Sequence, residues 1–316
     1  MKIILPGGSG QVGQVLARHF ITQGHDVVVL CRGAAVPSGR TVSWDGKTLG
    51  PWAGEFDGAD IVVNLAGRTV NCRYTPENLK QMMDSRVDST RVVGEAIQKA
   101  AKPPKLWLQM STATIYAHRF DAANDEVTGI IGGEEKDVPA YWGYSVEIAK
   151  NWEKTLFEAN TPNTRKVALR ASMIMSPDRD GIFDVMSRLV RLGLSGAAAG
   201  GKQYVSWIHD RDLIRAIDFL IEREDIDGAV NIASPGPLPY NDFMRAMRKA
   251  WGMPIGLPAM KWMLEIGAWA MRTDTELVLK SRRVIPGRLL EKGFAFEFSE
   301  WDKAVVDLVQ RWKAAG

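Results

Sequence analysis

The chain has 316 residues, with 40 Lys and Arg against 37 Asp and Glu, a formal net charge of +3. Charges this balanced and this interspersed give no basic stripe for nucleic acid and no polybasic face for a membrane. Two cysteines are too few for a disulfide framework, and no run of about 18 apolar residues is available to span a bilayer, so the expected setting is the reduced cytoplasm.

Residues 2–6 form a short apolar run bounded by glycine, too short for a helix, and read as a buried strand. Three apolar residues, Ile3, Ile4 and Leu5, do not make the core of a secretory leader. Gly7-Gly8-Ser9-Gly10-Gln11-Val12-Gly13 follows at once. Val12, Val15, Leu16, His19 and Phe20 then recur at helical spacing until Gly24, and residues 27–30 form a second β-branched run ending at Cys31-Arg32. The pattern is one βαβ unit. Gly10 and Gly13 fit G-x-G-x-x-G begun at Gly8, and equally G-x-x-G-x-x-G begun at Gly7. Side chains there would block the tight turn, the approach of a pyrophosphate, or the packing of helix on strand. The helix N-terminus adds free N–H groups and a partial positive charge.

The end of the second strand selects the dinucleotide. An NAD-preferring site places Asp or Glu about 20 residues past the glycines, on the ribose 2′-hydroxyl. Between residues 27 and 44 there is no carboxylate; Arg32 stands at the expected place and Arg40 is near. A guanidinium there pairs with a 2′-phosphate, so the expected cofactor is NADP(H).

Further along, residues 41–44 read as a short strand and 59–67 as a continuous apolar run, the signature of a parallel strand buried on both faces. Its end, Asn64-Leu65-Ala66-Gly67, falls at the carboxyl edge of the sheet, where ligands sit in open α/β folds. Residues 76–100 are a long helix, 105–110 a strand leading into Ser111-Thr112, 117–139 a polar loop, 141–159 a helix and 166–171 a strand. This alternation predicts a doubly wound parallel sheet. Residues 182–192 and 211–221 read as helices, 204–208 and 229–232 as strands, and 193–201 as a Gly/Ala-rich loop. After three prolines in 234–239 the pattern is helical: 241–251, 260–271, 275–280, 287–291 and 300–313. Met and Trp are dense there, among them Met244, Met247, Met260, Trp262, Met263, Trp269 and Met271. They suit a core filled by soft side chains, some of which wall an apolar pocket.

Taken together, Gly7–Gly13, Arg32, Asn64–Gly67, Ser85-Arg86, Ser111–Tyr116, Trp152-Glu153, Trp207-Ile208-His209-Asp210, and Val284-Ile285-Pro286 with Arg288 carry a resemblance across almost the whole chain. The chain resembles extended short-chain dehydrogenase/reductases, and more narrowly an atypical branch of epimerase-like proteins with a small helical C-terminal domain. The resemblance implies a Rossmann domain binding NADP(H), with cofactor contacts at Gly7, Ser9, Gly10, Gln11, Val12 and Gly13. It implies further contacts at Cys31 and Arg32, at Leu65, Ala66 and Gly67, at Gln81 and Arg86, and at Ile174.

Relatives that transfer hydride use a Ser or Thr together with Tyr-x-x-x-Lys on a helix, a spacing that sets phenol and ammonium on one face. Thr112 matches the Ser/Thr position. The pair is not found: four residues before Lys150 stands Val146, Tyr141 leads to Ser145, and Tyr144 leads to Ile148. Counted back from Glu153, Ala149 stands at the lysine position and Ser145 at the tyrosine position. Two explanations follow. The helix starts after Tyr144 and frees that ring to act with Thr112 as acid/base, or the protein binds NADP(H) without the usual chemistry. His209 suits a structural role better than a catalytic one, and no cluster has metal-ligand spacing.

The expected architecture is a Rossmann domain over residues 1–175, joined by a return of 203–233, and a smaller substrate-side domain from 176–202 and 234–316. The expected function is NADP(H)-dependent oxidation, reduction or epimerisation of a small carbonyl or hydroxyl compound. The alternative is an NADP(H)-binding sensor with little catalysis.

Overall fold

A computed structural model describes residues 1–33, 35–136, 138–258 and 274–315. Seven strands form one sheet: β1 (Lys2–Pro6), β2 (Asp26–Cys31), β3 (Arg40–Ser43), β4 (Ile61–Asn64), β5 (Leu106–Thr112), β6 (Arg165–Ala171) and β10 (Gly228–Ile232). Their order is β10-β6-β5-β4-β1-β2-β3 and every pairing is parallel. The order reverses between β1 and β4, so both neighbouring connections leave the sheet there and open a crevice at its carboxyl edge.

Alternate residues of each strand face opposite layers. Ile3 and Leu5 of β1 and Val27 and Val29 of β2 pack under helices α1 (Gln11–Thr22) and α5 (Asp210–Glu222), through Leu16, Phe20, Leu213, Ile217 and Leu220. On the other face Ile4, Val28, Val62 and Trp107 pack under α2 (Pro76–Lys99) and α3 (Tyr141–Glu158), through Val92, Val93, Ile97 and Leu156. Both faces are covered, which explains why the strands read as unbroken apolar runs rather than alternating ones.

Past β6 the chain forms a two-stranded parallel ribbon, β7 (Met173–Met175) with β9 (Trp207–His209). Helix α4 (Ile182–Arg191) follows β7. A second ribbon pairs β8 (Tyr204–Val205) with β11 (Leu238–Pro239). The helical C-terminal region packs α4, α6 (Tyr240–Trp251) and the last helix, Trp301–Ala314, around Phe183, Phe243, Met247 and Trp301. Phe243 and Trp301 stack at 4.1 Å. The strand expected over 204–208 is thus two short strands in different ribbons, and only β10 returns to the main sheet. The helix expected over 260–271 lies outside the described residues, and with it Met260, Trp262, Met263, Trp269 and Met271. Among the described residues, no helix is long and apolar enough to cross a membrane and no group of side chains could hold a metal ion.

Candidate active site

The glycine turn is built by close approach. Gly7 sits at φ +73°, and a Cβ on it would lie 2.6 Å from the Ala66 Cα. A Cβ on Gly13 would lie 2.4 Å from the Gly8 backbone. Both are glycine because the turn and the helix–strand contact leave no room. Gly10 differs: its nearest obstacle is the Gly7 carbonyl at 3.8 Å, so the chain itself does not demand a glycine there. Gly10 is the N-cap of α1, caps no N–H through a side chain, and is followed by a first turn without a carboxylate. Beside it the Gln11 Nε2 is buried without a hydrogen-bond partner among the described residues, under Gly181. Ser9 is exposed and Val12 half-buried on the same turn. An open cradle, free helical N–H groups and an orphaned amide donor are what an anionic pyrophosphate requires.

At the end of β2, Cys31 is buried and its thiol reaches the Gly33 carbonyl at 3.6 Å. Arg32 is exposed beside it. Arg40, the other cation expected here, lies elsewhere: it opens β3 opposite Val28, toward the amino edge of the sheet, and is engaged by Glu55 through hydrogen bonds of 2.7 and 2.6 Å. Glu55 comes from the turn after β3, and its carboxyl is held below the usual range by that guanidinium.

At the end of β4, the Asn64 amide donates to Gln109 at 2.9 Å and its Oδ1 accepts from the Ala66 N–H at 3.1 Å, which bends the chain past Leu65. Gly67 is exposed, and a Cβ there would touch the Arg86 guanidinium at 3.3 Å. Thr75 and Pro76 start α2 by capping and by a preset φ. Arg86, three turns in, donates to the Met82 carbonyl at 3.0 Å and lies 5.0 Å over the Trp152 ring. Burial pushes it down to about 10, and the groups bearing on it are Tyr74 and Cys72 rather than a carboxylate. It stays protonated at neutral pH and faces Gly67, a cation without a carboxylate partner among the described residues. Gln81 instead turns to Glu77 on its own helix. Ile174 lies in β7, paired with Ile208.

Thr112 ends β5, and its hydroxyl accepts from the Thr114 N–H at 3.1 Å. Helix α3 is fixed in rotation by Glu153, which takes two hydrogen bonds from Arg170, 2.9 and 2.8 Å, and one from Ser111 at 2.7 Å. That anchor sets Ala149 against Ala113, Ile115 and Tyr116. It leaves Lys150 outside, paired with Glu147 at 3.0 Å. The explanation in which α3 starts after Tyr144 is corrected: Trp142 and Gly143 donate to the Pro139 and Ala140 carbonyls, and the helix opens at Tyr141. Tyr144 therefore lies in the first turn and packs with Leu79, Met82 and Ile148 between α2 and α3. His209 is fully buried, accepts from the Arg211 N–H, and contacts Asp307 at 3.0 Å and the Phe298 ring at 3.9 Å. It caps α5 and joins the C-terminal helix, a structural role.

Ser145 carries a feature that the sequence did not announce. Its hydroxyl donates at 2.6 Å to Glu276, which heads a short helix, Glu276–Leu279, in the C-terminal region. Lys280 and Arg282 follow, both reaching Thr114. The only trace in the sequence is the four-residue interval between Glu276 and Lys280, common on any helix.

Sheet order and glycine cradle define a dinucleotide-binding Rossmann protein of the extended short-chain dehydrogenase/reductase type. Residues 3–233 match the NAD dependent epimerase/dehydratase family, and the chain belongs to that family; residues 261–308 match a domain of unknown function, DUF1731. The chain is 28% identical over 98% of its length to the epimerase family protein SA0724 of Staphylococcus aureus, covering 99% of it. It is 26% identical to the epimerase family protein YfhF of Bacillus subtilis, covering 98% of each chain. Its fold superposes on human epimerase family protein SDR39U1, solved with NADPH, with a TM-score of 0.84 and 25% identity, covering 98% of this chain and 99% of that one.

Proposed function

We propose that this protein binds NADP(H) across the glycine turn and catalyses oxidation, reduction or epimerisation of a small carbonyl or hydroxyl compound in the cytoplasm. When bound, the cofactor supplies a hydride donor or acceptor. The open face at Gly10 and the Gln11 amide receive the pyrophosphate. Arg32 receives the 2′-phosphate, Leu65, Ala66 and Gly67 let a ribose approach the backbone, and Arg86 adds positive charge. Thr112 donates to the reacting oxygen, and Tyr144 lines the cleft. The observation that carries the reading is the exposed Arg32 at the end of β2, with Arg40 held toward the amino edge by Glu55. The relative solved with NADPH supports the same cofactor.

Calorimetric titration with NADPH and NADH tests the binding, and NADPH oxidation against a panel of aldehydes and ketones tests the chemistry. Tight, selective binding of NADPH with turnover of at least one carbonyl is expected; no heat with either nucleotide defeats the reading. A sensor role is favoured by the serine and alanine at the two α3 positions. NADPH binding without any turnover, unchanged by Thr112→Ala and Tyr144→Phe, would establish it.

A further inference from the structure

Helix α3 presents Ser145 and Ala149 where hydride-transferring relatives present phenol and ammonium. The ionisable groups at this place come from the C-terminal region instead. Glu276 is 1% exposed; its Oε2 accepts from Ser145 at 2.6 Å, and its Oε1 makes no hydrogen bond among the described residues. Lys280 is 2% exposed, with its Nζ 3.7 Å from that Oε1. The ammonium donates to the Thr114 carbonyl at 3.0 Å, two residues past Thr112. Arg282 Nε donates to the Thr114 hydroxyl at 3.1 Å. Tyr74, from the loop before α2, and Asp274 add to the charged and titratable surroundings of the carboxyl among the described residues. A buried carboxyl oxygen left without a hydrogen bond costs roughly 1–3 kcal/mol, so it is expected to have a use.

Resting on the NADP(H) reading above, we propose that Glu276, backed by Lys280, is the proton-transfer group of this site, reaching the substrate oxygen through Oε1. Substrates are then compounds whose reacting group is a carbonyl or its alcohol. In reduction, the carbonyl carbon takes a hydride and its π pair moves onto oxygen. That oxygen takes the proton of the Glu276 carboxyl, and the carboxylate left behind is stabilised by the Ser145 hydroxyl and the Lys280 ammonium until water reprotonates it. The reverse sequence oxidises the alcohol. Burial raises Glu276 above the usual carboxylate value, against Arg282, Lys280 and Ser145, and it pushes Lys280 down to about 8. Both groups are thereby brought toward neutrality, where an acid/base pair works best.

The test measures affinities for NADP⁺ and NADPH from pH 5 to 9 in the full chain. A carboxylate beside the nicotinamide attracts the cationic oxidised ring and leaves the neutral reduced ring alone. The wild-type preference for NADP⁺ should therefore rise by roughly 5-fold as Glu276 ionises. Glu276→Gln should abolish the rise, and Lys280→Met should shift the preference toward NADP⁺ by about 3-fold. Ser145→Ala, which disturbs the core least, should move the step to higher pH. With any carbonyl that the wild type reduces, Glu276→Gln should lower kcat by about 100-fold or more and leave KM within about 3-fold. A pH-independent preference in the wild type, or a step unmoved in Ser145→Ala, overturns the role of Glu276 even where the glutamine variant fails to fold. Failure of the wild type to bind either nucleotide would instead overturn the cofactor reading and this proposal with it.

Discussion

Arg40 and Glu55 close on each other through two parallel hydrogen bonds of 2.7 and 2.6 Å, fork against fork, toward the amino edge of the sheet, where Arg40 stands opposite Val28. The pair is partly exposed, on the arginine side above all, and adds little stability. Its consequence is positional: it holds Arg40 at the amino edge of the sheet beside Lys2, at the opposite end of β2 from Arg32.

Arg32→Asp should weaken NADPH by about 100-fold while changing NADH by less than about 5-fold, since a charge-assisted hydrogen bond is worth roughly 1.5–3 kcal/mol. Arg40→Ala should leave NADPH within about 3-fold. Parallel titrations of both variants check this, and an equal loss for both nucleotides in Arg32→Asp would remove its role.

The glycines of the turn should separate into two kinds. Gly13→Ala drives a Cβ into the Gly8 backbone and should lower the unfolding temperature by about 5–10 °C. Gly10→Ala meets open space in the protein, so its unfolding temperature should stay within about 2 °C. Its NADPH affinity should still fall by about 10-fold, because the methyl occupies the path of the pyrophosphate. Thermal melts and titrations on the two variants read both effects.

Glu153 and Arg170 form a pair with side chains only 9% and 12% exposed, and Ser111 shares the carboxylate. Glu153→Ala strands the guanidinium and should cost about 3–5 kcal/mol in denaturant unfolding. Replacing Arg170 with Met in the same chain should recover part of that loss, because the uncompensated charge goes with it.

His209 is held below the ordinary imidazole value of 6.5 by burial, although Asp210 and Asp307 pull the other way. The unfolded chain therefore binds a proton near that pH that the folded chain refuses. The contribution of the neutral ring is complete above about pH 6.5 and is lost as the pH falls below it. His118 is shifted in the same direction by burial, Lys280 and Arg282. Melting temperature should fall between about pH 7 and 5.5. His209→Asn, which keeps an acceptor for the Arg211 N–H, should flatten the fall.

What the sequence determined by itself is local. Residues 2–32 announce strand, glycine turn, helix and strand because each depends on apolar spacing and on glycines within a few residues of one another. The sheet's remaining strands, the long helix before residue 100 and the short one at Gly287–Glu291 were legible for the same reason. Asn64–Gly67 could be placed at the carboxyl edge because that edge follows from strand order, whereas Thr112 and Arg86 were reached through the family resemblance.

Tertiary structure alone decided which of these groups is engaged. Arg32 rather than Arg40 stands at the carboxyl edge because of the register of β3 on β2. The rotation of α3, which sends Ala149 inward and Lys150 outward, depends on an arginine in β6. Glu276 reaches Ser145 across 131 residues and Lys280 reaches Thr114 across 166. Periodicity reports which face of an element is buried; it carries no record of which distant charge that face will meet.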